Sequence, residues 1–68
     1  MQVTAILTPA PEGGFTALNP ETGTASEGET IEEAIANLRE AVELYLAVFP
    51  LKLSGAPFVT TITVAEHA

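Results

Sequence analysis

Gly28 to Phe49, GETIEEAIANLREAVELYLAVF, constrains the chain more than any other stretch. With Ile31 at zero and about 100° per residue, Ile31, Ile35, Leu38, Val42, Tyr45 and Phe49 fall within one arc of about 80°. Such an arc is the buried stripe of an amphipathic helix. Thr30 and Glu33 have the T-x-x-E spacing of a capping box, in which the hydroxyl accepts from the Glu33 amide and the carboxylate reaches back to the Thr30 amide. Glu32 and Glu33 place negative charge beside the unpaired amides of the first turn, and Pro50 cannot continue a helix. The spacing therefore predicts a helix over 31–49.

A 68-residue chain has room for one domain spanning residues 1–68. It has no cysteine, hence no disulfide or thiolate metal site to reinforce a small core, and a partner subunit is the remaining route to further burial. Hydrophobic residues make up 47% of the sequence and occur in patterned segments, which excludes disorder. The longest apolar run, residues 44–51, is too short to span a bilayer, and the N-terminal MQVTAIL lacks the basic flank of a secretory signal. A cytoplasmic protein without membrane association is expected. The net charge of −7 argues against direct nucleic-acid binding, which draws its affinity from clustered Lys and Arg, and leaves a basic protein as a natural partner.

Ahead of the helix, residues 2–8 (QVTAILT) alternate Val3, Ala5 and Leu7 with mostly polar neighbours, as a half-buried strand does. Pro9, Pro11 and Gly13-Gly14 predict a turn, and residues 14–18 (GFTAL) return as a second strand with Phe15 and Ala17 on one side. Asn19-Pro20-Glu21-Thr22-Gly23 signals another turn before a short third strand at 24–27. Beyond the helix, residues 58–64 (FVTTITV) are rich in β-formers and predict a fourth strand. The expected fold is α+β in two layers, a β-β-β-α-β sheet with one helix on one face and a threonine-rich opposite face.

Ala41, Leu44 and Val48 project about 80–140° from the main stripe and cannot all face the same sheet. Either Leu51, Leu53 and Phe58 fold back over them, or Ala41, Leu44 and Val48, with Leu51 and Leu53, form a homo-oligomer interface. Catalytic constellations are missing: the chain has no Asp and no Cys, and His67 is the penultimate residue. Glu32 and Glu43 fall on one flank of the helix, with Glu33 and Glu40 nearer its outermost line, where carboxylates stay solvated. No catalytic residue, metal ligand or cofactor site is assigned. Gly28 precedes a helix N-terminus, but Glu27 and Glu29 beside it repel a phosphate, so its role is structural.

Taken together, Gly-Gly-Phe-Thr-Ala (13–17), the Pro-x-x-Gly turn (20–23), Ser-Glu-Gly-Glu-Thr-Ile-Glu-Glu-Ala (26–34) and Glu-Ala-Val-Glu-Leu-Tyr-Leu (40–46) resemble the HicB-like antitoxin family. The resemblance implies a reduced ribonuclease-H-like fold without nuclease activity, frequent oligomerisation, and a partner of HicA type, a small basic mRNA-cleaving toxin. An antitoxin of this kind covers its toxin's catalytic surface. Glu33, Glu40 and Glu43 are the candidate contacts with such a partner. Full-length members carry a C-terminal DNA-binding module; residues 1–68 match the N-terminal type of domain alone, so operator binding is not carried over. The alternative expectation is a solitary homo-oligomeric HicB-like module without a toxin.

Overall fold

The computed structural model describes residues 1–51 and 58–66. Three antiparallel strands, β1 (Ile6–Pro9), β2 (Phe15–Asn19) and β3 (Thr24–Gly28), form a meander in the order β1-β2-β3. Helix α1 (Ile31–Val48) follows and packs mainly over β3 and β2. The result is a small α+β domain, one helix on one face of a three-stranded sheet.

Both hairpins close on the local signals of the sequence. In the first turn the Ala10 amide donates to the Gly14 carbonyl (2.9 Å) and the Gly13 amide to the Ala10 carbonyl (3.0 Å). In the second, the Gly23 amide donates to the Asn19 carbonyl (2.8 Å). Gly13, Gly14 and Gly23 all sit at positive φ, where a β-carbon is strained. Along β2 the side chains alternate as expected: Phe15, Ala17 and Asn19 turn toward the helix, while Thr16 and Leu18 are exposed on the other face.

The first strand starts later than residues 2–8 suggest, at Ile6, and the register supplies the reason. Ile6 pairs with Leu18, so continuing the ladder backwards places Thr4 opposite Pro20, which has no amide hydrogen and lies where the chain turns away. The Glu21 carboxylate takes over as partner of the Thr4 amide (2.9 Å).

Helix α1 begins where the capping residues require. The Glu33 amide donates to the Thr30 hydroxyl at 3.1 Å. The Glu33 carboxylate, however, accepts from the amide of Glu29 (3.3 Å) rather than that of Thr30, so the box closes one residue further out than its consensus. The helix ends at Val48, with the Phe49 amide donating to the Tyr45 carbonyl (2.8 Å) before Pro50 stops it. Its 18 residues make a rod about 27 Å long.

Ala17, Ala34, Leu38 and Val42 form the buried core, with Leu7, Phe15 and Leu46 packed against it. The middle of the predicted stripe is therefore buried, whereas its ends are not: Ile31, Tyr45 and Phe49 remain substantially exposed. The three-stranded sheet is shorter than the helix, so the outer turns have no strand beneath them. Tyr45 and Phe49 instead lean on one another, ring centroids 5.0 Å apart.

At Gly28 the last residue of β3 meets the helix so closely that an added β-carbon would lie 2.5 Å from the Ala34 backbone nitrogen. Only glycine fits. Asn37 adds a second tie, its amide donating to the Glu27 carbonyl at 2.8 Å.

The predicted fourth strand is corrected. Residues 58–66 join no ladder and are exposed throughout. β-branched composition makes a segment fit to pair, but a strand exists only against a partner, and this segment pairs with none among the described residues.

Candidate functional site

Because α1 lies over β3 and β2, the helix-side flank of the sheet next to β1 is left open. A groove of about 570 Å³ runs there between residues 1–5 and the helix. Val3, Ile35, Leu38, Val42 and Leu46 make it apolar, and Arg39 and Glu43 stand on its rim. Val42 and Leu38 thus serve both as core and as the groove's inner wall. Sequence reasoning assigned these residues to the core alone. The signal that would have exposed the second role was the width of the apolar stripe, larger than three short strands can cover.

The groove's outer wall is held by a polar lock built on Asn19, which is fully buried. Its Nδ2 donates to the Thr4 carbonyl (2.8 Å) and to the Glu21 carboxylate (2.7 Å). Its Oδ1 accepts from the Thr22 amide (3.0 Å) and hydroxyl (2.6 Å). The Thr4 hydroxyl donates to the second Glu21 oxygen at 2.7 Å. All four hydrogen-bonding positions of one amide are used. The Thr4 backbone amide, aided by the Thr4 hydroxyl and the Asn19 amide, holds the Glu21 carboxyl below its ordinary value of 4.5 against the opposing effect of desolvation. The lock fastens residues 1–5 to the β2–β3 turn where no ladder can reach them.

A smaller recess beside the β1–β2 turn is lined by Glu12, Glu27, Glu29 and Glu33, with Phe15 behind them. Among the described residues no group of three or more His, Cys, Asp or Glu is placed to hold a metal ion.

Glu33, Glu40 and Glu43 are all exposed, but the fold does not gather them into one site. Glu33 caps the helix and borders the acidic recess, Glu43 borders the apolar groove some 15 Å further along the rod, and Glu40 belongs to neither. Of the second apolar strip, Ala41 and Leu51 are half-buried, while Leu44 and Val48 are 66% and 67% exposed. Phe58 does not fold back over them; it is 99% exposed itself. Leu53 lies outside the described residues. The threonine-bearing face is open as well, with the Thr16 hydroxyl donating across the hairpin to the Thr8 carbonyl (3.3 Å).

Among the described residues no helix is long and apolar enough to cross a membrane. No family model, no curated protein and no solved structure matches the chain. What the fold and its surfaces define is a small acidic α+β domain with exposed carboxylates along its helix, an apolar groove and a polar lock that secures its first residues.

Proposed function

We propose that this chain is a HicB-like interaction protein of antitoxin type, which binds and masks a small basic HicA-like mRNA-cleaving toxin in the cytoplasm and performs no catalysis itself. The observation that carries the reading is the charge: a net −7 on 68 residues, with the carboxylates of Glu32, Glu33, Glu40 and Glu43 exposed on the helix. A surface of that sign draws a basic protein in by long-range attraction and orders it on contact. The residues that carry the family resemblance support it further: they lie along β2, the turns, the cap, the β3–helix junction and the second half of the helix. Direct RNA or DNA binding is disfavoured by the same charge.

The exposed Leu44 and Val48 favour a second reading, a solitary homo-oligomeric module that uses this strip and has no toxin partner. Co-expression separates the two. If a small basic protein encoded beside this gene arrests growth, this chain is expected to restore it, and Glu33→Lys, Glu40→Lys and Glu43→Lys combined to abolish the rescue. Growth arrest that persists with well-expressed wild-type chain would overturn the antitoxin reading.

A further inference from the structure

Three apolar or unpaired features of the described residues have no role in the fold. The apolar groove beside α1 has no occupant among the described residues of its own chain. Next to it, β1 is a sheet edge, paired among the described residues to β2 alone. The third feature is the arm 58–66, whose Phe58, Ile62 and Val64 stand in solvent, Phe58 at 99% and Ile62 at 81% exposure, and have the even spacing that puts side chains on one face of a strand when the segment pairs.

We infer that the arm of a second copy of this chain fills the groove: Phe58–Val64 of one protomer pairs with the free β1 edge of its partner and lays Phe58, Ile62 and Val64 against Val3, Val42 and Leu46, while the partner's arm does the same in return. Main-chain pairing to an exposed edge supplies affinity, and alternate side chains entering an apolar trough supply register. The exchange is isologous, so a two-fold dimer closes it and leaves neither arm free.

Two quantities point to a second copy. A compact chain of 68 residues has a radius of gyration of about 11 Å, whereas this one has 14.1 Å and extends 45 Å along its longest axis. Its accessible surface is 5593 Å², about 1,500 Å² more than a compact monomer of this mass exposes. A stable interface takes about 800 Å² from each partner, so the excess covers what a dimer needs. Among the described residues four apolar side chains are buried, few for a domain to stand on alone.

This interface shares the rim residue Glu43 with the proposed toxin contact but involves neither Glu33 nor Glu40 nor the Leu44–Val48 strip, and its test needs no toxin. Light scattering on the full chain is expected to give a dimer, and Ile62→Pro, which removes an amide hydrogen and bends the arm, to give a monomer with its helical circular dichroism intact. Isotope-filtered NOE spectra of a mixed labelled and unlabelled sample are expected to join Ile62 of one copy to Val42 or Leu46 of the other. A wild-type monomer at every concentration, an Ile62→Pro dimer, contacts from Ile62 only within its own chain, or intermolecular contacts confined to Leu44 and Val48 would each overturn the inference. Should Ile62→Pro lose its helix, the filtered spectra of the wild type decide alone.

Discussion

Replacing Asn19 by alanine tests the polar lock directly. The side chain makes four hydrogen bonds of 2.6–3.0 Å in a fully buried position. Truncation leaves the Thr4 carbonyl and the Thr22 amide without partners, while the Glu21 carboxylate and the Thr22 hydroxyl turn to water. An unsatisfied group costs about 1–3 kcal/mol when buried, and these two are partly buried, so Asn19→Ala should destabilise the fold by about 2–3 kcal/mol. For a domain of this size that lowers the melting temperature by about 10–20 °C. Urea denaturation followed by far-ultraviolet circular dichroism, at one protomer concentration because assembly shifts apparent stability, measures the loss. Asn19→Asp sharpens the result. It keeps the acceptor but sets a second carboxylate against Glu21, so its deficit should be greatest at neutral pH and shrink in acid as one of the pair takes up a proton. An Asn19→Ala variant within about 0.5 kcal/mol of wild type would refute the claim that this network secures residues 1–5.

Leu38→Ala should cost about 2–5 kcal/mol, because it empties a site at the centre of the helix–sheet contact, and thermal unfolding reads it. Gly28→Ala drives a β-carbon into the Ala34 backbone and should destabilise more than Gly13→Ala or Gly23→Ala, where an added β-carbon meets nothing within 4 Å; a melting temperature equal to wild type would show that the helix can shift freely. Glu21 has its folded-state carboxyl held below 4.5, so its contribution is complete above the ordinary carboxylate range and is lost as pH falls through the folded value. Glu21→Gln should therefore flatten the acid limb of a stability–pH curve, and an unchanged limb would remove Glu21 as its source.

The parts of this structure legible in the sequence are those set by neighbours in the chain. Thr30, Glu33 and Pro50 mark the helix because caps and breakers act within one turn, and the glycines mark the hairpins for the same reason. The pairing partners are set elsewhere. That β1 starts at Ile6 depends on Pro20 standing opposite Thr4, a consequence of register that no local pattern contains. Asn19 and Glu21 read as ordinary turn residues; their role as a lock requires Thr4 to arrive across the sheet. Phe58–Val64 has the composition of a strand, yet composition names no partner. The surfaces follow the same division: Glu33, Glu40 and Glu43 are identifiable as outward-facing from helical spacing, whereas the groove exists because α1 covers β3 and β2 and leaves β1 bare.

We propose above that this domain works by contact and transforms nothing. An RNA-cleavage assay tests it most directly: a small basic HicA-like toxin, where one is encoded beside this gene, is incubated with RNA while this chain is titrated in. The account predicts that cleavage stops near stoichiometric addition, that high salt weakens the block, and that this chain alone with magnesium leaves the RNA intact. Cleavage by the chain itself, or undiminished cleavage by the basic protein in the presence of excess folded chain, would contradict it.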